Sequence, residues 1–143
     1  MTTLHLTFRV GTAEYVVPAA QVLHLESFET ATHVPGAPAY VAGLVQVRGR
    51  VVPVVDLRRR FGLPGIEHAL AHRVVVVQLG PRVAGLLVDA AREVIQLDEA
   101  SFQDAPELIK EQVNGLVKAV VTVAGRLFLV ADLQRLIAEE PAS

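Results

Sequence analysis

Apolar and polar residues alternate from the start of the chain. Leu4, Leu6, Phe8 and Val10 fall on one face, and His5, Thr7 and Arg9 on the other. A period of two predicts a half-buried β-strand. Gly11-Thr12 is a turn signal, and Tyr15-Val16-Val17 resumes a β-type run. Val22-Leu23-His24-Leu25 reads as a strand or a short bend. Val34-Pro35-Gly36-Ala37-Pro38 is a stiff loop, because two prolines fix φ and the glycine permits a turn. The apolar runs at 41–47 and 51–55 flank Arg48-Gly49-Arg50, which predicts a hairpin. Pro53 has no N–H to give a ladder, so its strand is expected at a sheet edge or at a bulge. Asp56 suits a helix N-cap. Arg58, Arg59 and Arg60 follow in a short turn that Gly62-Leu63-Pro64 ends.

The second half runs through the same order. The runs 74–79 and 83–88 flank Gly80-Pro81-Arg82, again a hairpin signal, and Val94-Ile95-Gln96-Leu97 follows. After a loop-rich stretch around Asp104-Ala105-Pro106, two strands at 115–123 and 127–131 are joined by Ala124-Gly125-Arg126. Asp132 is placed to cap a last helix, to which Leu133, Leu136 and Ile137 give an apolar face at helical spacing.

The repeat is visible in the letters. The segment from Gly49 to Arg59 aligns with that from Gly125 to Arg135, matching Gly, Arg, a Val, Asp, Leu and a final Arg. Upstream, Val16, Ala19, Val22, Leu25 and Gly43 align with Val88, Ala91, Val94, Leu97 and Gly115 at one constant spacing, which then lengthens by four. The expected fold is mostly β: two small barrels packed together with short helices, in one domain over 1–143 whose similar halves are roughly 1–66 and 73–140. Either half alone would have little core.

Composition narrows the function classes. Of 143 residues, 52% are hydrophobic and only 5% aromatic, so the core is aliphatic. A net charge of −2 gives no general attraction to nucleic acid or anionic lipid. Cysteine is absent, which excludes disulfides, thiolate catalysis and Cys-based metal sites. The N-terminus lacks the basic and apolar regions of a secretory signal. The longest apolar run, around Val74 to Leu79, is far short of the roughly 20 residues of a spanning helix.

Motifs for chemistry are missing. His5, His24, His33, His68 and His72 show neither HxH nor HExxH spacing; His68 and His72 are four apart, without an obvious third ligand. Ser27, Ser101 and Ser143 lie outside any GxSxG, and there is no GxGxxG or Walker loop. Repetition of Asp56 and Asp132 at helix starts favours capping over acid–base work. No enzyme, metal or cofactor is expected. Arg58, Arg59 and Arg60 read as a solvated face near a helix end. Arg48 differs, closing an apolar strand at a rigid tip where its side chain is held yet exposed.

The stretch Val34-Pro35-Gly36-Ala37-Pro38-Ala39-Tyr40-Val41-Ala42-Gly43-Leu44-Val45-Gln46-Val47-Arg48-Gly49-Arg50-Val51-Val52-Pro53-Val54-Val55-Asp56-Leu57-Arg58 resembles the signature of CheW-like chemotaxis coupling proteins. That signature runs from a Pro-x-x-Pro loop through a Gly-led strand and an Asn-x-Arg-Gly tip to Pro-Val-x-Asp-Leu-Arg. Phe8 to Pro18 resembles the family's opening hairpin, and Val88-Asp89-Ala90-Ala91-Arg92-Glu93-Val94 its middle element. Gly115-Leu116-Val117 and the segment from Gly125 to Leu133 resemble its closing repeat, so the likeness spans essentially the whole chain.

The resemblance implies two five-stranded SH3-like barrels packed with pseudo-twofold symmetry. It implies a non-enzymatic adaptor that joins the cytoplasmic tip of a methyl-accepting chemotaxis receptor to the regulatory domain of a CheA-type histidine kinase. That kinase domain is itself CheW-like. The implied place is the cytoplasm, at membrane-associated receptor arrays, without nucleic acid or direct membrane insertion. Arg48 and Gly49 match the family tip, Gly43, Leu44 and Val45 the strand that feeds it, and Val22 and His24 positions near the partner contacts. Two departures stand out. Gln46 replaces the usual Asn, which accepts positive φ more readily, so the tip geometry is expected to differ. His24 stands where the family often has Glu, replacing a fixed negative charge by a titratable group. Other readings are an adaptor in a twitching, gliding or developmental pathway, and a small-molecule sensor using the groove between the barrels.

Overall fold

The computed structural model describes residues 2–28, 31–64, 72–108 and 115–137. The first-half strands are β1 (Thr2–Val10), β2 (Ala13–Pro18), β3 (Val22–Ser27), β4 (Val41–Val47) and β5 (Arg50–Asp56), followed by helix α1 (Leu57–Arg60). The second half adds β6 (Arg73–Leu79), β7 (Arg82–Val88), β8 (Ala90–Asp98), a two-residue β9 (Gln103–Asp104), β10 (Val117–Val123), β11 (Arg126–Ala131) and helix α2 (Leu133–Ile137). The fold is mostly β, as the alternation predicts. His68 lies outside the described residues.

The strands form two sheets of like order. One runs β8-β1-β2-β11-β10 with β9 at its end, and the other β3-β6-β7-β5-β4. Each therefore takes a hairpin from one half of the sequence and three strands from the other, to which the first sheet adds the short β9. The register fixes which positions correspond. Val54 pairs with Gly85 as Val130 pairs with Val16, and Leu25 pairs with Val75 as Val94 pairs with Leu6. The bulge between Val41 and Gly43 recurs between Val117 and Ala119. Upstream of the last hairpin the letter alignment is thus out of step. Val22 corresponds to Ala91 and Gly43 to Ala119, because the chain between strands differs in length in the two halves. At the tips the alignment stands, with Arg50 corresponding to Arg126.

Three apolar clusters show how the sheets are used. The largest lies between them, with Leu6, Phe8, Val10 and Val17 from one sheet and Val55, Val75, Val77, Leu86 and Val88 from the other. Each sheet also encloses its own set: Val16, Leu97, Val121, Phe128 and Val130 in one, and Val47, Val52, Val54, Val74 and Val76 in the other. Strands covered on both faces read as continuous valine, which is why 74–77 shows no alternation. This corrects the reading of β1 as half-buried. Leu6, Phe8 and Val10 face the shared core, yet His5 and Thr7 are buried too. The His5 ring packs edge-on against Phe102 at 5.8 Å, and the Thr7 hydroxyl accepts the Glu93 N–H at a bulge between β1 and β8.

Both helices begin as expected. The Asp56 carboxylate accepts the Arg58 and Arg59 N–H groups at 3.0 and 3.5 Å, and that of Asp132 accepts the Arg135 N–H at 3.3 Å. Leu57, Leu133, Leu136 and Ile137 are buried in the shared core. Pro53 sits in an interior strand rather than at an edge. It pairs with Leu44 of β4, and the parallel ladder to β7 begins only at Val54, so the missing N–H leaves no gap in it.

Of the arginines after Asp56, Arg59 is solvent-exposed, as a solvated face requires, but Arg58 and Arg60 are not. Arg58 donates through Nε to Asp89 Oδ1 at 3.1 Å, and Asp89 also accepts the Gly11 N–H at 2.8 Å and faces Arg9 at 3.6 Å. The Asp89 side chain is 5% exposed, so its charge is held by these groups rather than by water. Arg60 donates to the Arg135 carbonyl at 3.1 Å and lies over the Tyr40 ring. These contacts tie α1 to both sheets.

Candidate protein-interaction site

The β4–β5 hairpin turns through Arg48 and Gly49 at φ of 49° and 80°. Positive φ at both central positions is the two-residue turn whose twist matches its strands. Ala124 and Gly125 repeat it at 51° and 79°, so the turn, rather than the charge, sets this conformation. The expectation that Gln46 alters the tip is corrected here. Gln46 lies within β4, paired to Val51, and the left-handed conformation falls on Arg48 and Gly49. An Asn at position 46 would gain nothing from its tolerance of positive φ.

The sheet curls enough for a side chain at this tip to reach its other outer strand. Arg48 Nε reaches Glu26 Oε1 of β3 at 3.2 Å, and the Arg48 side chain remains 67% exposed. Glu26 is the residue that reading the sequence missed. The signal was its spacing from His24, since positions two apart on a strand share a face. Two clefts flank this ion pair. One, of about 340 Å³, is lined by Glu26, Ser27, Phe28, Val45, Gln46 and Arg48, with Val47 and Val74 beneath. The other, of about 320 Å³, is lined by Leu23, His24, Arg48, Arg50, Gln78 and Val83, with Val47, Val52 and Val76 beneath.

Five of the expected site residues thus gather at the tip: Arg48, Gly49, Gln46, Val45 and His24. The other three lie apart. Gly43 and Leu44 are at the far end of β4, where Leu44 and Thr32 exchange backbone hydrogen bonds of 2.9 Å. A Cβ on Gly43 would stand 2.3 Å from the Thr32 carbonyl oxygen, and its φ is 142°, so only glycine fits. Val22 packs against the shared core. Exposed Leu23, Leu25 and Val51 add apolar surface beside the tip. Among the described residues no three His, Asp or Glu side chains are grouped to hold a metal, and no helix is long and apolar enough to cross a membrane.

Two sheets of matching order, joined by a shared core and presenting a rigid charged tip, define a β-sheet interaction module. The chain matches the model of the CheW-like domain over residues 4–140 and belongs to that family. The chemotaxis protein CheW of Rhizobium meliloti is 32% identical over 135 residues, covering 94% of this chain and 87% of that one. Protein PilI of Pseudomonas aeruginosa is 34% identical over 82 residues, which cover 57% of this chain and 46% of PilI. The crystal structure of the scaffolding protein TtCheW from Thermoanaerobacter tengcongensis aligns at a TM-score of 0.88 and 25% identity, covering 98% of this chain and 95% of that one.

Proposed function

We propose that this protein is a non-enzymatic adaptor that couples methyl-accepting chemoreceptors to a CheA-type histidine kinase, in the cytoplasm at membrane-associated arrays. The family match over 4–140 carries the reading. What supports its mechanism is the tip, where an exposed guanidinium is held by a tight turn and one ion pair on a preorganised β scaffold. Such a site acts by docking, with Arg48 at the contact and Val45, Gln46, Gly49 and His24 around it. Gly43 and Leu44 hold β4 in place, and Val22 anchors β3.

Co-sedimentation with a receptor cytoplasmic fragment and the cognate kinase tests this. The wild type is expected to assemble with both partners. Arg48→Ala is expected to keep its fold, losing at most about 1 kcal/mol for an exposed ion pair, and to lose assembly. A folded wild type that sediments with neither partner would sink the proposal. A second reading keeps the adaptor role and places it in a twitching, gliding or developmental chemosensory pathway; the partial likeness to PilI leaves room for a pathway other than chemotaxis. The same experiment separates the two by which pathway's kinase is carried down.

A further inference from the structure

At the start of β11, Arg126 donates to Glu14 of β2 at 2.7 Å and to Glu93 of β8 at 2.8 Å. One guanidinium thereby fastens the outer strand of its sheet to the interior. The correspondence between the sheets makes this clamp a template for the other one. Arg50 begins β5 as Arg126 begins β11. The Arg9–Glu14 pair corresponds to Gln78–Val83, and the position of Glu93 on β8 corresponds to His24 on β3.

Arg50, His24, Val83 and Gln78 all line the same cleft of about 320 Å³. Where one sheet sets two carboxylates around its arginine, the other sets an imidazole and an isopropyl group. Among the described residues the Arg50 side chain has no ion pair or hydrogen bond. Glu26, two residues beyond His24 on β3, is engaged by Arg48. The cleft thus holds an uncompensated guanidinium over an apolar floor of Val47, Val52 and Val76, where a charge pair is less screened than in open water.

We propose that this cleft receives a carboxylate side chain from the regulatory domain of the kinase, which engages Arg50 as Glu14 and Glu93 engage Arg126. The proposal rests on the adaptor reading and adds the chemistry of the contact. A planar guanidinium with its donors free suits a carboxylate. The cleft opens beside β3, the outer strand of its sheet, which is paired only to β6. A free strand edge fits a partner that is itself built of β-sheet, as the CheW-like kinase domain is implied to be, better than a helical receptor tip.

Isothermal titration tests this, using the full-length protein against the cognate kinase and, separately, against the receptor fragment. The variants are Arg50→Ala, Arg50→Glu and His24→Glu; the last supplies an internal carboxylate. Arg50→Ala is expected to weaken kinase binding about tenfold or more, and Arg50→Glu further, with receptor binding changed by less than about twofold. His24→Glu is expected to weaken kinase binding as well, because its own acid occupies the cleft. Arg50→Ala should also bind the kinase with a shallower salt dependence than wild type. Both Arg50 variants should melt close to wild type, since the Arg50 side chain gives up no internal contact, and His24→Glu should melt no lower. If Arg50→Glu does not fold, Arg50→Ala and His24→Glu decide. Kinase affinity within about twofold of wild type for folded Arg50 variants overturns the inference and leaves the adaptor reading standing. Loss confined to the receptor overturns the assignment to the kinase. A wild type that binds no kinase overturns both.

Discussion

Tyr15 joins the two sheets through a column of rings. It stacks on Phe8 of its own sheet at 5.7 Å and on Phe61, just after α1, at 4.8 Å. Burial disfavours the phenolate and pushes the Tyr15 pKa from 10.0 to about 12. The folded state therefore keeps a proton that the unfolded state releases in that window. The sign follows: this contribution to stability is complete below about pH 10 and is lost as pH rises toward 12. Thermal melting across that range should fall more steeply for wild type than for Tyr15→Phe, which has no proton to lose. Parallel profiles for the two proteins would show that the ring, not its hydroxyl, is all that matters. Arg126 is a second residue with a clear cause. Its hydrogen bonds to Glu14 and then Glu93 raise its pKa above the ordinary value, so it stays charged throughout.

At the scale of elements, two short helices depend on their caps, because helices of one turn have no propagation to sustain them. Asp56→Ala and Asp132→Ala are each expected to lower stability by about 0.5–2 kcal/mol, read as a shift in denaturant midpoint with unchanged slope. Unchanged melting with lost partner binding would instead make these aspartates contact residues. The caps, the hairpin tips and most strands were legible in the sequence because each rests on local signals: a capping residue, a Gly turn, a period of two. The burial of His5 and Thr7 was not legible, since it comes from a second core enclosed by strands distant in sequence. The place of Pro53 was hidden for a similar reason, because an interior strand can leave one flank unpaired at one residue. Arg58 looked like surface charge until the fold brought Asp89 to it from far along the chain.

At the scale of the molecule, two sheets share one order while the halves of the sequence exchange hairpins between them. The letters showed that a repeat exists but set β2, β3 and β4 out of register, because strand register is set by pairing rather than by similarity of apolar residues. That register is what makes the arginine at one tip comparable with the arginine at the other. The curl of that sheet also explains why Gln46 and His24 line clefts on either side of Arg48, whose side chain reaches across to β3. Gly43 belongs to the same account, as it lets β4 approach Thr32 so closely that the strand's path, and hence the tip, is fixed.

The central claim is that docking by this protein places a kinase under receptor control. The most direct measurement is the autophosphorylation rate of the cognate kinase, reconstituted with membrane-embedded receptor in the presence and absence of the protein. The account predicts that kinase activity responds to the receptor's stimulus only when the wild-type protein is present, and that Arg48→Ala does not restore the response. A kinase that answers the receptor equally well without the protein, or with the folded Arg48→Ala variant in its place, would contradict it.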